Sequence, residues 1–515
     1  MKGESLTYDL ANPRPDALIE SLRSVGYSLA AALADIIDNS IAAKADNIWI
    51  NFNWDGGNSS ISVLDDGNGM SEAALVDAMR PGSLNPLEIR APSDLGRFGL
   101  GLKTASFSQG RELHVWTKEV GEAEHGRCWD LEYVSLHNEW RLRKDLPIPA
   151  SDLAKVFNRN QSGTLVTWKK LDRVVPHDTE VADNEAHKFF MARIKDVRQH
   201  LSMIFHRYMA NEVAWRTKRL AIFVNGTDQI AAIEAWNPFR GGANAGAQST
   251  PVEHLAFKGL HLAVKGFVMP HRDRLLPEEY ERLGGPRGWL AQQGYYVYRN
   301  DRILVAGDWL KLGRGSPWQK DEQYKLARLS IDIPNSMDMD WSLDVKKSTA
   351  RPPNRLIARL TDLAEKVRDD ARQAFVHRGK YGPRAQAPKV LSEAPWESVK
   401  RGGRLTYRIN RNHPLTASVL QRLGPMAAEV EPMIRLIEEG VPVERIWLDK
   451  ADDKVSHVIP YEGLEEKIIR EDIAATFRYL RRRKESVEIC RAFLLATSPF
   501  DQYPHLVENV IEIGD

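Results

Sequence analysis

Three short segments within the first 103 residues constrain the fold of this chain more than any other feature. Residues 34–40, 64–70 and 96–103 each combine acidic, amide or glycine residues with a neighbouring apolar stretch. The first lies in a run with helical apolar spacing, the second ends an alternating run, and the third leads into another helical pattern. A helix, a strand end and a glycine-rich loop in this order predict one polar site in an α/β domain.

Composition indicates a soluble globular protein. The 515 residues are 43% hydrophobic and 27% charged, which suits two or three domains. No apolar run is long enough to span a bilayer and the N-terminus lacks a signal-peptide pattern, so we expect a cytoplasmic protein without membrane contact. Only Cys128 and Cys490 are present, which argues against a disulfide framework or a cysteine-based zinc site. Because 71 Lys and Arg nearly balance 70 Asp and Glu, any nucleic-acid surface must be a local patch.

The apolar pattern of the N-terminal part predicts an α/β sandwich with an antiparallel sheet, of class α/β (α+β). Helical spacing covers 16–45 with a break at Gly26, and further helices are expected over 72–80 and 102–107. Residues 83–98, rich in glycine, proline and polar side chains, are predicted to form a mobile loop. Strands are predicted at 49–52, 60–64, 113–116, 128–131 and 164–168.

The remainder of the chain is predicted to form a second domain, a linker and a mixed α/β C-terminal region. A helix over 185–209 leads into the second domain, and a helix over 354–376 closes it. Its predicted strands include 220–224, 262–267 and 295–298. The predicted boundaries are 1–180 and 181–378 for the two domains, 379–395 for a proline-containing linker and 396–515 for the C-terminal region.

Asp35 and Asn39 fall one turn apart on the same face of the predicted helix. A carboxylate at Asp35 can orient and deprotonate an attacking water. The amide oxygen of Asn39 suits Mg²⁺, a hard cation that also binds substrate phosphates. Taken alone, the pair is better explained by the polar face of an amphipathic helix, so its assignment depends on the two segments that follow.

Asp65 ends an apolar strand and is followed by Gly67, Gly69 and Met70. A buried carboxylate here can accept a hydrogen bond from the exocyclic amine of adenine, whereas guanine carries an acceptor at that position. The two glycines permit a tight turn and a close approach of the backbone to a base. By itself, a simple Asp-Gly turn explains the segment equally well.

The third segment places glycines and a lysine at the start of a helix. Free backbone N–H groups and the helix dipole at such a position favour a phosphate, and Lys103 adds positive charge. The spacing is neither the dinucleotide-binding pattern nor a Walker loop. The predicted nucleotide-binding residues of this loop are Gly96, Phe98, Gly99, Leu100, Gly101, Leu102 and Lys103.

The order of these segments resembles that of the GHKL ATPases, the family of gyrase, heat-shock chaperone ATPases, histidine kinases and MutL. The resemblance implies a Bergerat ATP-binding sandwich that uses ATP with Mg²⁺, with residues 81–95 as a lid. It implies that Asp35 is the catalytic base, Asn39 the magnesium ligand, and Thr164 of a Gly-Thr pair a residue beneath the adenine. The family usually has glutamate where this chain has Asp35. Because aspartate is one methylene shorter, either the water lies closer to the helix or turnover is slow.

Two later segments resemble the ribosomal-protein-type transducer domain of the MORC and MutL branch of that family. Tyr298, Asn300 and Arg302 match its Tyr-x-Asn-x-Arg strand-turn. Residues 343–348 match the segment whose lysine reaches the γ-phosphate from the second domain. The resemblance implies this role for Lys347, or for Lys346 beside it, and a solvated basic turn is the alternative.

The function implied by the resemblance is an ATP-hydrolysing clamp. It would dimerise on binding ATP and act on DNA, in bacterial defence or DNA restriction, with an operon-encoded protein as a further partner. A chaperone-like ATPase acting on proteins and a nucleotide-gated scaffold with little turnover are the alternatives. A histidine kinase is disfavoured because no helix with a phosphoacceptor histidine precedes the predicted ATP helix. The basic run at 477–484 suits nucleic acid, although a charged helix surface explains it better.

Overall fold

The computed structural model divides the chain into two compact units, Met1–Tyr381 and Gly382–Asp515. This division falls inside the predicted linker 379–395. The structure describes residues 13–24, 26–82, 101–144, 147–148, 150–242, 246–343, 349–376, 395–401, 404–442, 461, 464–483, 485–497, 499–500 and 503–510.

The described part of the first unit alternates helices with strands of two sheets. Its helices are α1 (Pro15–Arg23), α2 (Leu29–Ala42), α3 (Glu72–Met79), α4 (Gly101–Phe107), α5 (Leu131–His137), α6 (Asp152–Arg159), α7 (Asn184–Ile204), α8 (His206–Met209), α9 (Pro277–Gly284), α10 (Gly288–Ala291) and α11 (Asn354–Val376). Its strands are β1 (Asn47–Asn53), β2 (Ser60–Asp65), β3 (Glu112–Lys118), β4 (His125–Asp130), β5 (Arg143–Lys144), β6 (Gly163–Lys169), β7 (Ala221–Val224), β8 (Gln248–Ser249), β9 (Glu253–Phe257), β10 (Leu260–Val268), β11 (Gly294–Arg299), β12 (Arg302–Asp308) and β13 (Ala327–Ile333).

The first sheet has the strand order β5-β4-β3-β6-β2-β1-β7. Its pairs are antiparallel as predicted, except that β7 runs parallel to β1. The assignment of strand 220–224 to the second domain is therefore wrong. A strand that joins a sheet in parallel needs a long connection before it, and α7 lies in the connection that precedes β7. Ile222 and Val224 of β7 are buried in the same core as Ile48 and Ile50 of β1.

Helix α2 is the most deeply buried helical element near the predicted site. It begins after Ser28, whose hydroxyl accepts the backbone N–H of Ala31 and so satisfies a free donor at the helix start. Leu33, Ile37 and Ile41 are buried in the core, and the helix packs against α4 and α7. Polar residues on α2 are thereby fixed in position by the core around them.

One predicted strand ends earlier than expected. Residues 128–131 were expected to form a strand, but β4 ends at Asp130 and Leu131 begins α5. The carboxylate of Asp130 accepts the backbone N–H groups of Glu132 and Tyr133, which is a helix-capping arrangement. The helix cap at Asp130 ends the strand one residue earlier than the apolar pattern predicts.

The second sheet of this unit has the order β12-β11-β13-β10-β8, with β9 also paired to β10. Strands β11 and β13 are parallel, and the other pairs are antiparallel. Helix α11 packs against β10 and β13, and its bounds agree with the predicted helix 354–376. The first unit therefore carries a second α/β layer after the first sheet, while the identification of this layer as a transducer domain stays a prediction.

The turn between β11 and β12 is tightly specified. Asn300 and Asp301 both have positive φ, 48° and 62°, as a two-residue hairpin turn of type I′ requires. The hydroxyl of Tyr208 donates to the carbonyl of Asn300 at 2.6 Å, and Arg207 pairs with Asp301 at 3.0 Å. The hairpin turn is thus held against α8.

The second unit is built mainly from helices. Its described elements are β14 (Trp396–Arg401), β15 (Arg404–Ile409), α12 (Pro414–Leu423), α13 (Ala427–Glu439), α14 (Glu466–Arg482), α15 (Val487–Ala496) and α16 (Pro504–Glu508). Phe477 and Leu480 of the basic run lie in the core of this unit with Phe493. The ring of Phe477 is therefore withdrawn from solvent, which favours a charged helix surface over a nucleic-acid stacking site. Across the described residues of both units, every helix is too short or too polar to cross a bilayer.

Substitution of Trp168 tests the packing of the first sheet. Trp168 on β6 is 1% exposed, and its indole N–H donates to Ser106 Oγ of α4 at 2.8 Å. Trp168→Ala is expected to lower the free energy of unfolding by about 3–5 kcal/mol because it leaves a large cavity. Urea unfolding followed by far-ultraviolet circular dichroism measures this. Leu136→Ala is the control, because this side chain is 80% exposed, and it is expected to change the free energy of unfolding by less than about 0.5 kcal/mol. Equal effects of the two substitutions would contradict the packing.

Candidate active site

The carboxylate of Asp65 lies at the end of β2 and is buried. It accepts the hydroxyl of Ser40 on α2 at 2.8 Å and the backbone N–H of Gly67 at 2.9 Å. Asp65 also pairs in register with Thr164 on β6. The predicted adenine-binding carboxylate is thus fixed by the helix, the following turn and the neighbouring strand, and Thr164 lies beside it as expected.

Burial raises the pKa of Asp65 from its usual 3.8 to about 6, while the hydrogen bonds from Ser40 and Gly67 oppose this shift. Asp65 is therefore mainly ionised at pH 7 but protonates under mildly acidic conditions. In the charged form both oxygens act only as acceptors, which matches an amine donor.

The turn after Asp65 needs its glycines. Gly69 has φ +72°, and a Cβ there would lie 1.8 Å from the carbonyl oxygen of Lys118. A Cβ on Gly67 would lie 2.8 Å from the carbonyl oxygen of Ala43. The backbone N–H of Met70 donates to Thr117 Oγ1 at 3.0 Å. The turn is therefore packed too closely against the carbonyl groups of Lys118 and Ala43 to accept side chains at either glycine.

Asp35 is buried on α2, and both of its carboxylate oxygens have donors. Tyr27 donates its hydroxyl to Oδ2 at 3.0 Å, and Arg302 Nη2 lies 3.4 Å from Oδ1. A Cβ built on Gly101, the first residue of α4, would lie 4.0 Å from Asp35 Oδ2. The structure thus brings Asp35 next to the end of the predicted glycine-rich loop.

Asp38 is a second buried carboxylate on α2. Arg302 Nε lies 2.8 Å from Asp38 Oδ1, so one guanidinium contacts Asp35 and Asp38 together. Arg302 comes from the start of β12 in the second sheet, 267 residues after Asp35. Unpaired carboxylates in an apolar core are costly, and this arginine offsets that cost.

Asn39 is exposed, in contrast to the buried aspartates on the same helix. Its amide oxygen is available to a hard cation, as predicted for a magnesium ligand. Among the described residues, the structure brings together no group of three or more His, Cys, Asp or Glu that could hold a metal ion. An exposed amide oxygen fits Mg²⁺ that also binds phosphate oxygens, and this role of Asn39 stays a prediction.

Lys103 is buried within α4, and its ammonium group donates to the carbonyl oxygen of Ala78 on α3 at 2.9 Å. Burial lowers its pKa to about 8. The structure places this group at the C-terminal end of α3, and its role at phosphates stays a prediction. Leu102 is half-buried beside it. The other predicted residues Gly96, Phe98, Gly99, Leu100, Lys346 and Lys347 lie outside the described residues.

Several residues at the site were not assigned a role from the sequence. Ser40 and Thr117 are common residue types with no distinctive spacing, so only the fold shows their contacts. Tyr27 lies in no recognised motif, and the Tyr-x-Asn-x-Arg match marks Arg302 without assigning it a contact with Asp35. One general signal was usable: two aspartates on a helix as apolar as α2 require donors from other elements. The sequence could not identify which donors these are.

A comparison with protein-family models agrees with this geometry. Residues 27–164 match the model described as histidine kinase-, DNA gyrase B- and HSP90-like ATPase. No curated protein matches the chain. The matched segment begins at Tyr27 and ends at Thr164, so it includes Asp35, Asn39, Asp65 and the residues of α4. The match supports a GHKL-type ATPase domain in this part of the chain, and with it ATP binding and hydrolysis.

Proposed function

We propose that this chain binds ATP with Mg²⁺ between α2, the turn after β2 and α4, and hydrolyses it slowly. The observation that carries this proposal is the buried carboxylate of Asp65, fixed by Ser40 at 2.8 Å and Gly67 at 2.9 Å next to a turn too tight for side chains. Such a carboxylate suits the adenine amine and not guanine, whose six-position is an acceptor.

In this proposal, Asp35 accepts a proton from the water that attacks the γ-phosphorus, and the bond to the leaving ADP breaks. Tyr27 donates to Oδ2 and Arg302 lies by Oδ1, so the carboxylate is held in one orientation. Asn39 would hold Mg²⁺, which supplies charge neutralisation at the phosphates. Lys347, or Lys346, would reach the γ-phosphate from the second domain, as the MORC and MutL resemblance implies.

We further propose that ATP binding joins two copies into a clamp that acts on DNA. Domains of the matched family commonly dimerise when they bind ATP. The second sheet follows the ATP-binding domain in the same compact unit, which provides a route by which nucleotide state can alter the rest of the chain. DNA, a defence or restriction role and an operon-encoded partner follow from the resemblance to bacterial MORC-like proteins.

A nucleotide-gated scaffold is the second candidate, and one observation favours it. Asp35 is a short side chain whose two oxygens already have donors, which leaves it less free to accept a proton from water. A scaffold would bind ATP and dimerise without multiple turnovers. Measurements of ATP turnover and of ATP-dependent dimerisation separate the two functions.

Asp35→Asn tests the proposed base. The variant is expected to lose turnover by about 10²-fold or more, because an amide does not accept the proton, while the Kd for ATP stays within about threefold. Steady-state phosphate release and calorimetric titration measure the two quantities. Asp77→Asn on α3, whose side chain is 66% exposed, is the control and should keep wild-type turnover. Turnover retained in Asp35→Asn would rule out Asp35 as the base, and ATP-dependent dimerisation without turnover in any form would favour the scaffold.

The pH dependence of ATP binding tests Asp65. Its raised pKa means that Asp65 contributes stability below about pH 4, which is lost as the pH rises through about 6. Nucleotide binding depends on pH in the opposite direction and strengthens as the pH rises, because the adenine amine favours the ionised carboxylate. Between pH 7 and pH 5, the affinity of the wild-type protein for ATP is expected to weaken about tenfold more than the affinity of the Asp65→Asn variant. The variant shares the titration of the phosphates, so an identical pH profile in both proteins would contradict adenine recognition by Asp65.

Light scattering tests the clamp. With Mg²⁺ and a non-hydrolysable ATP analogue, the mass is expected to double from 58.3 kDa, and duplex DNA is expected to raise ATP turnover. Asp65→Ala removes the adenine contact and should stay monomeric under the same conditions. A monomer with the analogue bound would contradict the clamp, and unchanged turnover would contradict DNA as its substrate.

A further inference from the structure

We propose that Arg302 is a positioning residue for Asp35 and that it couples the second sheet to ATP hydrolysis. This inference rests on the proposed function, because it concerns the same carboxylate. Arg302 does not contact the nucleotide in this proposal. It acts on the reaction by fixing where Asp35 points.

The contact geometry supports this role. The planar guanidinium of Arg302 lies with Nε 2.8 Å from Asp38 and Nη2 3.4 Å from Asp35 Oδ1. Tyr27 holds the other Asp35 oxygen at 3.0 Å. One rigid guanidinium plane makes an ion pair with Asp38 and a hydrogen bond to Asp35 at once, which fixes a relation between the two carboxylates that a single point charge cannot. Asp35 is thereby restrained from both sides.

Stability alone is a poor explanation for this cluster. The side chains of Arg302, Asp35 and Asp38 are each at most 5% exposed, and burying such ions costs free energy that their attraction only partly offsets. Apolar residues of similar size would fill this space at lower cost. A buried arrangement of this kind is better explained by the orientation that it imposes on Asp35.

Arg302 is itself fixed to the second sheet. It begins β12 immediately after the turn at Asn300 and Asp301, which Tyr208 and Arg207 hold in place. Arg207 also pairs with Asp332 on β13 of the same sheet. The ring of Phe205 lies 5.8 Å from the Arg302 guanidinium. Because this hairpin carries Arg302, a shift of the second sheet relative to α2 would change the contact with Asp35.

The same hairpin provides a matched control. Arg299, three residues earlier on β11, is also 5% exposed and pairs with Asp338 at 2.9 Å. That partner belongs to the segment that follows β13, not to α2. Replacing Arg299 therefore disturbs a buried ion pair on the same hairpin without removing a donor from Asp35.

Lysine variants of the two arginines test the inference in the full chain. Arg302→Lys keeps the charge but loses the planar guanidinium that contacts both aspartates, so kcat for ATP is expected to fall about tenfold with KM within about threefold. Arg299→Lys is expected to keep kcat within about twofold of wild type. Thermal unfolding of both variants shows whether their stability changes equally. If Arg302→Met folds, its kcat is expected to fall further, because it loses the charge as well. If Arg302→Met does not fold, the comparison of Arg302→Lys with Arg299→Lys decides the test.

The outcomes separate this inference from the proposed function. Wild-type kcat in Arg302→Lys, or equal kcat losses in both lysine variants that follow their stability, would overturn the positioning role alone. An absence of hydrolysis in wild type would contradict the proposed ATPase activity and this inference together. A loss of kcat confined to Arg302→Lys, with ATP binding retained, supports both.

Discussion

The contact of Arg302 with Asp35 and Asp38 connects the second sheet to the helix that carries the proposed catalytic base. Helix α2 is apolar around most of its surface, yet it buries two carboxylates that require donors. The second sheet supplies the guanidinium, and Tyr27 supplies a hydroxyl from the segment before the helix. The same helix orients Asp65 through Ser40 and exposes Asn39. One helix therefore connects the proposed base, the proposed metal ligand and the carboxylate proposed to bind adenine.

The parts of the fold that were predictable depend on local chemistry. Helix α11 and the break at Gly26 follow from apolar spacing, and the turn at Gly69 follows from a positive φ that glycine adopts readily. The order of the three polar segments predicts a site at Asp35, Asn39 and Asp65, whose roles stay predictions, and the hydrogen bond from Ser40 on α2 to Asp65 joins two of these segments. For α11 and the glycine turn, the residues that carry the pattern lie within a few positions of one another in the chain.

The parts that were missed depend on packing between distant segments. Strand β7 looks like any short apolar strand, and its pairing with β1 is decided by the crossover through α7. The hydrogen bond from Lys103 to the carbonyl oxygen of Ala78 joins α4 to the end of α3, which the glycine-rich pattern does not indicate. The contact between Arg302 and Asp35 joins residues 267 positions apart, so no local pattern could predict it.

A crystal structure of the chain with Mg²⁺ and a non-hydrolysable ATP analogue tests the central claim most directly. The account predicts the adenine amine within hydrogen-bond distance of the Asp65 carboxylate, Mg²⁺ bound by Asn39, and the γ-phosphate on the side of Asp35. A nucleotide bound elsewhere on the chain, or an adenine with no contact to Asp65, would contradict it.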